Sequence, residues 1–323
     1  MIQGAGILPT LYNNFMSYRY LLYLRRFLLA AISFFLLPPI VYGWLCLQRP
    51  PQTNLEQALF QGIVYKRIAR STPRPVMTHI VAIDLTSPGI KALVTPGVKT
   101  SHDGEIRAQT TSEFLTQFKL QLAINASYFL NFYEHAPWNY YPHSGDVVNP
   151  IGEAISNGYR YSQPEKYWSV LCISSTNRAQ ILESEKCPEG TKQGVAGNQL
   201  LVDRAQSAIS DLGDDKPYPR VAVAVNREGT KLWLIAVDGK QPLYSEGVAI
   251  AELTKIILDL GAYTALNIDG GGSTTLVIAR NQKPKVLNAP IHTRVPMRER
   301  PVANHLGFYA LPIKQPLSPV ERS

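Results

Sequence analysis

The sequence predicts an α+β fold of mostly antiparallel sheets with a few packed helices, preceded by one N-terminal transmembrane helix. Phe27 to Leu47 is an uncharged apolar run of 21 residues, enough for a helix to cross a bilayer core. Beyond it, short β-type runs outnumber helical ones. The clearest helical spacing, Leu253, Ile256, Ile257 and Leu260, follows two strand-like runs and precedes two more, so helices and strands do not alternate as in parallel βαβ folds.

The apolar run carries anchor features. Arg25 and Arg26 precede it, and Tyr18, Tyr20, Tyr23, Tyr42 and Trp44 lie near its flanks, as interfacial residues do. Pro38-Pro39 should kink it, which membrane helices tolerate. A cleaved signal peptide is the competing reading. The core is long for one, and no small-x-small cleavage site ends it. The expected organisation is a cytoplasmic segment 1–26, an anchor 27–47, a Pro-rich polar linker 48–75, a domain 76–312 outside the cytoplasm, and a loose tail 313–323.

Bulk composition bounds the rest. The 323 residues are 45% hydrophobic and 17% charged, a chain able to bury a core. Half of the net charge of +8 comes from Arg19, Arg25, Arg26 and Arg49, with no acid among the first fifty residues. No basic block interleaved with aromatics is present, so nucleic acid is not an expected partner. Cys46 lies in or near the membrane run. Cys172 and Cys187 flank a pair of strands and either bridge in an oxidising compartment or stay as two thiols.

Along the domain, His79 to Leu85 and Ile90 to Val94 read as a hairpin around Ser-Pro-Gly. Thr110 and Glu113 form a capping-box pattern ahead of Phe114, Leu115 and Phe118. Leu122 to Phe129 resembles a buried strand ending in a polar loop. Residues 131–165, with His135, His143 and many aromatics, read as a long irregular segment, a common place for function. Val221 to Val225 and Lys231 to Val237 are strands joined by the Asn226 to Gly229 turn, and Gly261 ends the helix that follows.

Leu266 to Val277 is the most informative stretch: an apolar run ending in Asp269, then Gly270-Gly271-Gly272-Ser273-Thr274-Thr275, then a second apolar run. Consecutive glycines lose much backbone entropy on folding, so they persist where side chains cannot fit. A concavity of free N–H groups beside a carboxylate suits an anion, while a tight hairpin with a turn Asp is the plainer reading. The segment is neither a Walker loop nor a dinucleotide fingerprint.

Several segments together resemble the phosphodiester glycosidase family. They are Thr110-Thr111-Ser112, Ala123-Ile-Asn-Ala-Ser-Tyr-Phe129, Arg220 to Val225, Leu232 to Gly239, Ala265 to Leu276 with its Asp-Gly-Gly-Gly-Ser core, and Arg300-Pro-Val-Ala-Asn-His-Leu306. The resemblance covers roughly residues 76–312. It departs from the family at Ser127-Tyr128, where the family has Gly-Phe, and it is poor over 131–165, where substrate selectivity is expected.

The resemblance implies the reaction class, not the substrate: hydrolysis of a sugar-1-phosphodiester between the anomeric carbon and its oxygen. Envelope or exopolysaccharide glycans are a separate expectation, from membrane-anchored relatives described as associated with them. Asp269 is the carboxylate expected to meet the oxocarbenium-like centre or activate water, with Asp238 a second candidate and Glu252 a weaker one. Gly270, Gly271, Gly272, Ser273 and Thr274 would hold the phosphate through N–H and O–H donors. Arg220 and Arg300 would grip it, since a guanidinium fork matches phosphate. Asn125 and Tyr128 would bind sugar hydroxyls or orient the carboxylate. His143 and His305 are further acid/base candidates. No zinc-ligand pattern occurs and no cofactor is expected. Asp211, Asp214 and Asp215 would suit a hard cation, although a solvated acidic loop is the favoured reading. Two other classes compete: a non-catalytic glycan-binding or assembly protein, and a phosphodiesterase cutting at phosphorus.

Overall fold

The computed structural model describes residues 8–97, 106–209 and 215–313. It separates into two compact units at the Gln48/Arg49 boundary. The first holds one helix, Leu8–Leu47, which begins well before Phe27 and runs on through Pro38 and Pro39. Its Leu21–Leu47 part is long and apolar enough to cross a membrane.

The second unit is built on an eight-stranded sheet. Its order is Leu55–Phe60, Ile63–Arg70, Val76–Asp84, Lys231–Val237, Arg220–Val225, Thr264–Ile268, Gln199–Asp203 and Gln206–Ser207. A five-stranded sheet, Lys283–Val286, Leu276–Arg280, Leu122–Asn125, His305–Tyr309 and Lys91–Val94, shares its main core. Pairings between adjacent strands in these sheets are antiparallel.

Strand alternation explains the layers. Val221, Val223, Leu232, Leu234, Leu266 and Ile268 join the core shared with Leu122, Ile124, Leu276 and Phe308. Their neighbours Ala222, Ala224, Trp233, Ile235 and Ala265 turn to the opposite face, where Leu253 and Ile257 of the Ile250–Asp259 helix cover them. Strands buried on both faces therefore read as unbroken apolar runs. The helix Thr111–Gln117 closes the other side through Phe114 and Leu115 against Ala123 and Val277. Its predicted capping box is present: Thr110 Oγ1 accepts from Glu113 N at 3.2 Å, and Glu113 accepts from Thr110 N at 2.7 Å.

A third sheet of five strands contains Ser169–Ser174 and Ala179–Leu182, and Cys172 is bridged to Cys187. The bridge settles the two-way reading of these cysteines.

Three expectations need correction. Residues 131–165 carry five short strands, from Tyr133–Ala136 to Tyr159–Ser162, and are not one irregular segment. Residues 48–75 are not merely a linker, because Leu55–Phe60 and Ile63–Arg70 extend the large sheet. The alternation was masked by charge. Ile63, Tyr65 and Arg67 point inward, and the buried Arg67 guanidinium donates to Thr53 O and Oγ1 at 2.8 and 2.9 Å. Nor do His79–Leu85 and Ile90–Val94 form a hairpin. Val76–Asp84 pairs within the large sheet, whereas Lys91–Val94 pairs with His305–Tyr309 in the other. Turn residues mark a change of direction equally well for a hairpin and for a step between stacked sheets.

Candidate active site

The glycine segment is such a step. Thr264–Ile268 belongs to the large sheet, and Leu276–Arg280 pairs with Leu122–Asn125 in the five-stranded one. The two apolar runs flanking the glycines do not pair with each other, so the hairpin reading fails. Asn125, at the tip of its strand and fully buried, closes the connection: Nδ2 donates to Asp269 O at 2.6 Å, and Oδ1 accepts from Thr275 N at 3.0 Å. Asp269 N donates to Ala126 O at 2.9 Å. Asn125 is therefore a staple of the loop, with no surface for a sugar.

Each glycine is required by a close approach. A Cβ on Gly270 would lie 2.5 Å from Pro219 O, and one on Gly272 would lie 2.5 Å from Arg300 Nη2. Gly271 adopts φ +62°, and its Cβ would meet the Tyr218 ring at 2.9 Å. Three amides of the segment are taken up by backbone carbonyls. Gly271 N donates to Pro219 O, Ser273 N to Gly270 O and Thr274 N to Gly271 O, which closes a 3₁₀ turn.

A cleft of about 230 Å³ opens beside this turn, lined by Asp269, Gly270, Gly271, Asn267, Tyr128, Arg220 and Arg300, with Phe132, Tyr218 and Pro219 among its apolar wall. Asp269 is 9% exposed, and burial pushes its carboxyl up to about 6, against the opposing Ser273 hydrogen bond and Arg300 charge. Asp269 is the carboxylate among the described lining residues.

Arg300 is fixed on three sides. Nη1 donates to Ser273 Oγ at 3.0 Å, Nε donates to His292 Nδ1 at 3.1 Å, and Nη2 pairs with the Glu134 carboxylate. Its guanidinium carbon sits 4.5 Å from the centre of the Phe132 ring. The neighbouring His292 and the Arg300 charge hold Glu134 down at about 2, while burial lowers His292. Arg220 pairs with Asp215, donates to Val248 O at 3.3 Å and lies over Tyr218, whose hydroxyl accepts from Lys240 Nζ at 2.7 Å.

Other expected residues fall outside the cleft. Gly272, Ser273 and Thr274 sit buried behind it, Ser273 as a partner of Arg300 and Thr274 O as an acceptor for Asn288 Nδ2 at 2.9 Å. Asp238 is sealed in the interior, not in the cleft. Its Oδ2 accepts from His79 Nε2 at 3.0 Å, and its Oδ1 accepts from Asn288 Nδ2 at 3.0 Å and Ala289 N at 2.9 Å. Tyr65 extends this chain to His79 Nδ1 at 2.8 Å. Asn288 Oδ1 in turn accepts from Leu276 N at 2.8 Å, so the network ends on the exit of the glycine turn.

Glu252 pairs with Arg74 and accepts from Ala249 N at 2.9 Å, an N-terminal helix contact. His305 is fully buried against Phe114, and burial pushes its imidazole down to about 3. His143 is exposed beside Asp146. Asp211 and Asp214 lie outside the described residues, and Asp215 serves Arg220. Among the described residues, no three His, Cys, Asp or Glu side chains cluster as a metal would need.

Sequence reasoning missed Asn267, Tyr218, Glu134 and His292. For Asn267 a signal existed, because it stands two residues before Asp269 and so shares its strand face. Glu134 and His292 reach Arg300 from distant loops, and nothing local marks them.

The arrangement defines a cleft in which one buried carboxylate stands beside two guanidinium groups, on a layered antiparallel fold. The chain belongs to the phosphodiester glycosidase family, whose model matches residues 118–309. Solved structures share the fold. A protein of Synechocystis described as hypothetical superposes with TM-score 0.58 at 15% identity over 81% of this chain, which spans 64% of that protein's chain. The catalytic domain of zebrafish N-acetylglucosamine-1-phosphodiester α-N-acetylglucosaminidase, auto-inhibited by its pro-peptide, gives 0.54 at 20% identity over 79% of this chain and 87% of its own. A protein of Burkholderia pseudomallei described as exported gives 0.52 at 14% identity, over 74% of each chain. No curated protein sequence matches the chain.

Proposed function

We propose that the cleft hydrolyses a glycosyl phosphodiester at the anomeric C–O bond, releasing free sugar and a phosphomonoester. The observation that carries this is one buried carboxylate sharing a cleft with two guanidinium groups. Ordinary glycoside hydrolysis uses two carboxyl groups, one of them to protonate the leaving oxygen. A departing phosphomonoester, with a second pKa of about 6, leaves without that proton. One carboxylate then suffices, and Arg220 and Arg300 stabilise the charge that develops on phosphate. Asp269 meets the oxocarbenium-like carbon or takes a proton from the water that adds to it. The bonding pair of the broken C1–O bond departs with the phosphate. Asp238 acts behind the site by holding the exit of the glycine turn.

The helix Leu21–Leu47 supports a membrane anchor, with Arg25 and Arg26 on the cytoplasmic side. The Cys172–Cys187 bridge favours an oxidising compartment for the domain, hence an envelope or exopolysaccharide substrate.

The test is product analysis with the full chain in detergent and a panel of sugar-1-phosphodiesters. Free reducing sugar and phosphomonoester, lost in Asp269→Asn, is the expected result. Sugar-1-phosphate would place the cut at phosphorus. Binding without turnover, unchanged by Asp269→Asn, would make the protein a glycan-binding module.

A further inference from the structure

Asn267 carries an anomaly that catalysis as described leaves unused. The side chain is 2% exposed and lines the cleft. Its Nδ2 donates to Asn198 Oδ1 at 2.8 Å and to the Tyr128 hydroxyl at 3.1 Å, but its Oδ1 is buried without a partner. Among the described residues with such an orphaned atom, Asn267 is the one in the cleft wall. A buried acceptor left unpaired is costly, and native structures seldom keep one without a reason.

Tyr128 supplies the complementary half. Its oxygen already accepts from Asn267, so its own proton is available to another acceptor. Burial and then the Asp269 charge push the phenol up to about 12, which keeps that proton in place at neutral pH. The ring is held edge-on to Trp168 at 5.7 Å, so the hydroxyl has a fixed position. Strand alternation puts Asn267 on the same face as Asp269. The Tyr128 hydroxyl is thus bonded to the same amide that carries the unpaired acceptor, and both side chains line the cleft with Asp269.

We infer that Asn267 Oδ1 and the Tyr128 hydroxyl together read one hydroxyl group of the sugar ring seated at Asp269. A sugar hydroxyl donates and accepts at a single oxygen, which matches this pair. A hydrogen or methyl in its place would leave Asn267 Oδ1 orphaned. The inference deepens the proposed function and rests on a glycosyl phosphate occupying the cleft.

Binding tests it without requiring turnover. Gluco- and galacto-configured hexose 1-phosphates, and the monodeoxy analogues of whichever binds, are titrated calorimetrically into the full chain in detergent. One deoxy analogue should bind the wild type about 10- to 100-fold more weakly than its parent. Asn267→Ala should lose that discrimination. Tyr128→Phe, which keeps the ring against Trp168, should lose it too and covers the case in which Asn267→Ala does not fold. Equal binding of all analogues by the wild type, or discrimination that survives in both variants, overturns the pair while leaving the proposed reaction standing. If no hexose phosphate binds and no phosphodiester is turned over, the pair and the reaction fall together.

Discussion

Replacing Asp269 with Asn should abolish turnover and, at neutral pH, stabilise the fold. Burial raises this carboxyl from an ordinary value near 4 to about 6, a shift worth ~3 kcal/mol between the two protonation states. The folded pKa lies above the unfolded one, so the fold binds the proton more tightly. This stabilising contribution is complete below the unfolded value and is lost as pH rises through about 6. Above that, the wild type carries a buried anion that the fold disfavours. Asparagine has no such charge, so the wild type should lose ~3 kcal/mol relative to Asp269→Asn between pH 4 and pH 7. In a chain of this size that corresponds to roughly 6 °C in Tm. Thermal and denaturant unfolding of both proteins in detergent, at unit pH steps from 4 to 8, reads the difference directly. The wild-type rate should also fall below about pH 6, tenfold per unit, as the needed carboxylate is protonated. Parallel stability profiles for the two proteins would refute the claim that Asp269 is held against its preferred charge state.

Gly272→Ala places a methyl group 2.5 Å from Arg300 Nη2, in a guanidinium already held by Ser273, His292 and Glu134. Moving that head breaks at least one charge-assisted hydrogen bond, ~1.5–3 kcal/mol, so kcat/KM should drop roughly 10- to 100-fold. Gly272 lacks a left-handed φ, so backbone strain does not confuse the result, and wild-type kinetics would show that the contact is unimportant. Asp238→Ala leaves His79, Asn288 and Ala289 N without their acceptor. It should cost ~3–5 kcal/mol in stability. The acid limb near pH 6 should persist in the folded protein, and a displaced limb would return Asp238 to the chemistry.

The sequence by itself determined the apolar helix, the antiparallel character of the domain, its family and the Asp269 glycine segment. These rest on local properties: charge-free length, two-residue alternation, and glycines that only a close approach can justify. It also singled out Arg220 and Arg300, through the motifs that contain them, and both line the cleft. The tertiary structure decided what each residue faces. Asp238 and Asp269 both precede a glycine after an apolar strand, yet one is sealed against His79 and Asn288 while the other lines a cleft. The glycine run makes room for Pro219, Tyr218 and Arg300, none of them near it in the sequence. Asn125 looked like a sugar ligand and holds the loop between two sheets. Ile63–Arg70 hid as a linker until its neighbours in the sheet took up the inward side chains. In every case the deciding contact joins residues far apart in the chain, and a pattern read along one strand carries no record of which layer will pack against it.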